Sequence, residues 1–288
     1  MSTDVAPVDY SDLLKDIQQF YDETTVSVFC PVANIKLKFK PLTVKQLKTF
    51  IELQVATEKD DFGVIQGIDT VKYINQLIMD NCVDFEEKLF YQLTPMDRDA
   101  IVLQLRANVK NKAEVAMGEG ETQDIDLNDI VEKLKTVKFS AKDKTREHTT
   151  KFSSGTLTVN LRLPSIVVDG VVNEHFRGKI EPKLKKGKKH IEKEVETILS
   201  DVYFLEISKY IGDITVDKGK TKSSISFDDQ QTIQKSLDFL ESLPSSVIAQ
   251  VSEYVGTIKE YRDSVFSYTD SEGKEVPLNV DISLFTGI

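Results

Sequence analysis

Cysteine and histidine are scarce in this chain of 288 residues: Cys30 and Cys82, then His148, His175 and His190. Two thiols without a CxxC pair do not make a zinc site. Each lies beside an apolar neighbour, Phe29 or Val83, so both are expected to be reduced, buried thiols rather than a disulfide. No HExxH occurs, and no histidine stands four residues from another. Glu147-His148 and Glu174-His175 are adjacent pairs, which on a strand point to opposite faces and serve poorly as acid and base. All three histidines are expected at solvent-facing strand ends. No apolar run approaches the ~20 residues of a membrane-spanning helix. Met1 to Tyr10 lacks the basic start and apolar run of a secretory signal, so the chain is expected to stay in the compartment where it is made.

Phosphate and nucleophile motifs are also missing. Gly219-Lys220-Thr221 resembles the end of a phosphate-binding loop, but Ile214 stands where that loop needs glycine. A helix is expected before it and a Ser-rich loop after it, the wrong context for aiming backbone amides at a phosphate. Gly118-Glu119-Gly120 lacks a third glycine and sits among acids. Ser153-Ser154-Gly155 and Ser245-Ser246 read as turn and cap residues, since neither lies in a GxSxG elbow. Asp124-Ile125-Asp126 lacks the glycine and distal glutamate of a calcium loop. The expectation is a chain that is not an enzyme, with no catalytic residue, no metal and no cofactor.

What is present is charge, unevenly placed. The formal net charge is -10, which repels nucleic acid and anionic membrane. Glu119 to Glu132 carries six acids and no base, whereas Lys179 to Lys193 carries seven lysines against Glu181 and Glu192. Opposite blocks suggest internal pairing or partner surfaces. The lysine block has no aromatic stacking residue, and no arginine lies between Arg177 and Arg262, so nucleic acid is disfavoured there.

Periodicity fills in the elements. A helix is predicted over 11–21, with Leu13, Leu14, Ile17, Phe20 and Tyr21 on one stripe. Thr25 to Phe29 and Ile35 to Phe39 form a hairpin whose Leu37 and Phe39 face one side. Thr43 caps a helix to Thr57 with Val44, Leu47, Ile51 and Val55 inward. Residues 70–81 form another, with Val71, Ile74, Leu77 and Ile78 on its apolar face. Thr94-Pro95-Met96-Asp97 opens a helix carrying Ile101, Val102, Leu105 and Val109 inward. Lys110 to Asp124 reads as a loop, followed by a short helix with Leu127, Ile130, Val131, Leu134 and Val137. Thr149 to Phe152 and Thr156 to Leu163 make a hairpin with one wet face, and Val167 to Val172 a second around Asp169-Gly170. Lys179 to Lys189 reads as a linker or mobile loop, Ile191 to Ile211 as a long helix, and Asp213 to Ser224 as a polar loop. Two helices follow, one with Ile233, Leu237 and Leu240, the other with Val247, Ile248, Val251, Val255 and Ile258. Leu243-Pro244 makes the break between them short, so they are expected to pack antiparallel. A terminal hairpin spans Val265 to Val280.

The fold class expected is α+β, a helical bundle-like core with short antiparallel hairpins in its N-terminal, central and C-terminal parts. Segments 1–145, 146–189 and 190–288 are the candidate units, the last able to join the first in one domain.

The order of these segments resembles the baseplate hub subunit family of T-even-like contractile-tailed phages. The likeness begins at Ile35-Lys36-Leu37-Lys38-Phe39-Lys40-Pro41-Leu42-Thr43-Val44 and continues at Ile78-Met79-Asp80-Asn81-Cys82. It goes on through Leu89 to Leu93 and Leu103-Gln104-Leu105-Arg106, and ends in Leu243-Pro244, Val276 to Asp281 and Leu284-Phe285. Each motif is short, and their order carries the resemblance. Many members have paired cysteines after the Leu-x-Leu-Arg helix; Asn111 to Gln123 has none.

The resemblance implies a structural or assembly protein of a phage tail baseplate hub, in the virion and assembled in the host cytoplasm. Its partners would be other hub or tail proteins, with a homo-oligomer open, and with no small-molecule substrate and no membrane insertion. A tail-assembly chaperone absent from the mature virion is the alternative; a nucleic-acid binder using Lys179 to Lys193 is the second. The candidate partner-binding residues are Lys183, Lys185, Lys186, Lys188 and Lys189, then Val202, Phe204 and Leu205, then Phe266 and Tyr268.

Overall fold

Fifteen residues in the second quarter of the chain, Pro95–Val109, form a helix (α5), and ten of them are buried. Every residue from Met96 to Arg106 is buried except the half-buried Asp99, so α5 is the axle around which the rest packs. The architecture is α+β: helices around short antiparallel sheets. The computed structural model describes residues 10–57, 64–118, 121–184, 200, 203–204, 206–227, 240 and 242–285.

The chain enters through helix α1 (Tyr10–Glu23) and the hairpin of strands β1 (Val26–Cys30) and β2 (Ile35–Phe39). Leu37 and Phe39 are buried and Lys36 and Lys38 exposed, as strand alternation requires. Asn34, with φ of 55°, makes the turn. Helix α2 (Val44–Thr57) starts in a reciprocal cap: Gln46 N–H donates to Thr43 Oγ1 at 3.2 Å, and Thr43 N–H donates to Gln46 Oε1 at 2.9 Å. Helices α3 (Val64–Asn81) and α4 (Glu87–Gln92) lead to α5. Thr94 and Asp97 form the capping box of α5, with Pro95 in its first turn.

Strands β3 (Lys112–Gly118) and β4 (Glu121–Asp126) follow, then α6 (Leu127–Thr136) and a single turn, α7 (Ala141–Lys144). Strands β5 (Thr145–Phe152), β6 (Gly155–Arg162), β7 (Ile211–Asp217) and β8 (Lys222–Ser226) form an antiparallel sheet in that order, with α8 (Ile166–Leu184) inserted between β6 and β7. One face buries Leu157, Val159, Leu161 and Ile214. The other carries side-chain pairs across the strands: Thr149 with Thr158 at 3.1 Å, Asn160 with Asp213 at 2.8 Å, and Thr215 with Ser224 at 3.1 Å. Helix α9 (Ser245–Val265) packs on β5 and β6, and the strands β9 (Ser267–Thr269) and β10 (Glu275–Pro277) close the chain with a 3₁₀ turn, Ile282–Phe285. The buried apolar side chains form one cluster that draws on all three segments proposed from sequence. No helix among the described residues is long and apolar enough to cross a membrane.

Several elements differ from expectation. Lys110 to Asp124 contains the hairpin β3–β4 rather than a loop. Val167 to Val172 is helical, not a hairpin. Ser165 Oγ accepts from Val168 N–H at 3.2 Å and caps α8, while Ile166, Asp169, Val172 and Phe176 repeat at helical spacing on its buried side. That places His175 on a helix. Pro182 does not end α8 until Leu184, so the lysine stretch is helical at its start; 185–199 lies outside the described residues. The helix expected to reach Ile211 ends at Ser208, because Ile211, Ile214 and Val216 enter the sheet. Asp213 to Ser224 is thus the β7–β8 hairpin, and Gly219 sits at its turn with φ of 78°. The helix expected around Ile233 and Leu237 lies outside the described residues.

Candidate interaction surface

Amphipathic helices normally lose one face to the core, but α1 loses none: none of its fourteen residues is buried. Tyr10, Leu13, Leu14, Ile17 and Phe20 are all exposed, Phe20 at 70%. Their spacing of three and four puts them on one stripe. Asp12, Asp16 and Glu23 fall along one edge of it. Its last turn is tied to the start of α2. Tyr21 Oη donates to the Pro41 carbonyl at 3.0 Å, and Lys40 pairs with Asp22 at 2.6 Å. The lysine also lies 5.7 Å from the Tyr21 ring centroid.

A second exposed stripe lies on α2. Expectation placed Val44, Ile51 and Val55 inward; the structure exposes all three, Val44 at 69%. The helix is turned so that Phe50 is buried instead, stacked on Phe285 with ring centroids 4.1 Å apart and edge-on to Tyr73 at 5.1 Å. Phe50 takes the inward place because its ring makes two aromatic contacts there, with Phe285 and Tyr73. Lys48 lies between Val44 and Ile51 on the exposed stripe, with Lys45 beside it, both exposed.

The residues chosen from sequence fare differently. Lys185, Lys186, Lys188, Lys189, Val202 and Leu205 lie outside the described residues, and Lys183 falls in the last turn of α8. Phe204 is half-buried, with the exposed Tyr203 edge-on at 5.9 Å and Tyr203 Oη 2.6 Å from Ser252 Oγ. Phe266 and Tyr268 are buried in the chain's own core, not on a partner surface. The Phe266 backbone is held by Leu278 N–H at 2.7 Å and its ring lies under Arg262. Sequence reasoning missed the α1 stripe as a surface although it read the stripe itself, because periodicity reports an apolar face and not what covers it.

A buried charge cluster is the other feature with chemical potential. Asp169 receives Arg98 at 2.6 Å and Lys209 at 2.9 Å; Lys209 also reaches Glu206 at 2.6 Å, and Arg262 grips Asp99 at 2.8 Å. These groups line a cavity of about 460 Å³ with Tyr210 and Phe176. Burial alone would raise the Asp169 carboxyl, but Lys209 and Arg98 outweigh it and hold it at about 2. Each of the three cations is matched to a carboxylate. The arrangement therefore ties α5, α8, α9 and the segment before β7 together rather than presenting an unmatched charge to a ligand. No protein-family model, curated protein or solved structure matches this chain.

Proposed function

We propose that this chain is a non-catalytic interaction protein, and specifically a subunit of a phage tail baseplate hub that works by burying surface against other tail proteins. One observation carries the first part: α1 offers an apolar stripe three turns long that the chain's own core leaves exposed. Exposed contiguous apolar surface of this kind marks a docking site. The hub assignment rests on the ordered resemblance. What supports it is that the resembling segments, far apart in sequence, meet in space. Asn81 to Val83 lies along β2, with Lys40 N–H donating to Asn81 O and Val83 N–H to Lys38 O, both at 2.8 Å. Arg106 donates to the Leu284 carbonyl.

The test is capture of the tagged chain from phage-infected cells with nuclease present, partners being identified by mass spectrometry. Recovery of tail or hub proteins is the expected result. Recovery of host enzymes, or of nuclease-sensitive material alone, refutes the hub assignment. Mass spectrometry of finished particles then separates a permanent subunit, present in them, from an assembly chaperone, absent from them.

A further inference from the structure

We propose that α1 is an exchange arm: its apolar stripe docks on the Val44–Lys48–Ile51–Val55 stripe of α2 in a second copy of this chain, while the second copy's α1 docks in return. The inference rests on the reading of α1 as a docking element and names its occupant.

Three observations select that occupant. The two surfaces match in length, since α1 and α2 each have fourteen residues, roughly 21 Å of helix. They match in charge. Helix α1 carries Asp12, Asp16 and Glu23 against Lys15, with Asp22 held by its own Lys40, whereas the exposed side of α2 offers Lys45 and Lys48 with Glu52. Pairing α1 with another α1 would gather carboxylates; pairing it with α2 sets them beside lysines. Both surfaces are exposed in the same chain, so α1 does not lie on its own α2. The anchors at Tyr21–Pro41 and Asp22–Lys40 pin the last turn of α1 at the start of α2, and Thr24 and Thr25 alone join it to β1. Folding back within the chain would break those anchors. Docking in trans keeps them, and twofold symmetry makes the contact twice, which brings two short helices toward the area a stable dimer needs.

The experiment is sedimentation equilibrium of the purified full chain up to about 100 μM, a range that detects micromolar dissociation constants. Ile17→Asp and Val44→Asp alter exposed positions on different helices, and unchanged circular dichroism verifies the fold of each. The native chain is expected to dimerise, and each variant to be monomeric throughout. Lys48→Glu should weaken the dimer at least tenfold, and adding Asp16→Lys to it should restore part of that loss. A native chain that stays monomeric overturns the proposal. So does a dimer abolished by Ile17→Asp but indifferent to Val44→Asp and Lys48→Glu, since that pattern belongs to α1 pairing with α1. If the native chain is monomeric yet Ile17→Asp loses tail proteins in the capture experiment, the exchange arm fails and the docking reading stands. If the dimer behaves as expected and no tail protein is captured, the hub assignment fails alone.

Discussion

Gln104 is buried inside α5, yet its amide does what a neighbouring strand would do for β1. Its Nε2 donates to the Phe29 carbonyl at 2.8 Å, and its Oε1 accepts from Phe29 N–H at 2.9 Å. Asp97, two turns earlier on the same face of α5, accepts from Val32 N–H at 2.8 Å and Ala33 N–H at 3.3 Å, fixing the turn that follows β1. Gln104→Leu keeps the volume and strands both Phe29 groups, so urea unfolding should show a loss of about 1–3 kcal/mol at unchanged slope. An unchanged midpoint would show that water replaces the amide. The thiols make a second residue-scale prediction. Burial pushes Cys30 and Cys82 upward, and Cys30 is fully buried, so thiolate is not available at neutral pH. Both should react with a disulfide reagent only as fast as the chain unfolds; a burst of labelling in the native state would contradict their placement.

Elements are joined at two buried charged points. Arg106, 1% exposed, donates to the carbonyls of Leu284, Lys110 and Lys112, holding the C-terminal turn against the end of α5 and the start of β3. Arg106→Met leaves those carbonyls without their donor. It should cost about 2–4 kcal/mol and speed amide exchange first in Ile282–Phe285. Asp169 joins α8 to α5 and to Lys209. Its carboxyl lies near 2 in the fold, against about 4 in an unfolded chain. The stability it contributes is therefore complete above about pH 4 and lost as pH falls toward 2, on the order of 2 kcal/mol. Asp169→Asn should be less stable at neutral pH, because Arg98 and Lys209 lose their counter-charge, and should lack this acid-side slope. An unaltered slope would mean other carboxylates set it.

At the same scale it becomes clear which parts were legible in sequence. The β1–β2 hairpin, the Thr94 capping box, α6 and the β5–β6 hairpin follow from alternation and cap residues, which act locally. Asp169-Gly170 misled because a turn-forming pair between β-branched residues looks the same whether or not a distant Arg98 and Lys209 draw it into a helix. The β3–β4 and β7–β8 hairpins were read as loops because their residues are largely polar; β3 and β4 pair only with each other, while β7 is also held by the distant β6. For α2, the regular aliphatic stripe lost to Phe50, whose stacking partner Phe285 lies more than two hundred residues away. The candidate surface was half legible: the α1 stripe was visible, its exposure was not.

For the whole molecule, the account is that one core is built around α5 and one amphipathic helix is left outside it. On the proposed reading, a chain with a formal net charge of -10, which repels nucleic acid, associates through apolar contact with local charge matching. Because α1 contributes nothing to the core, deleting its stripe should remove association while leaving thermal stability, measured below the dimer's dissociation constant, within about half a kcal/mol. The most direct measurement is parallel capture from infected cells with the native chain and with Ile17→Asp, quantified by mass spectrometry. The account predicts tail and hub proteins with the native chain and their loss with the variant at equal yield and, below the dimer's dissociation constant, equal melting temperature. Equal recovery of the same proteins by both chains, or no tail protein with either, would contradict it.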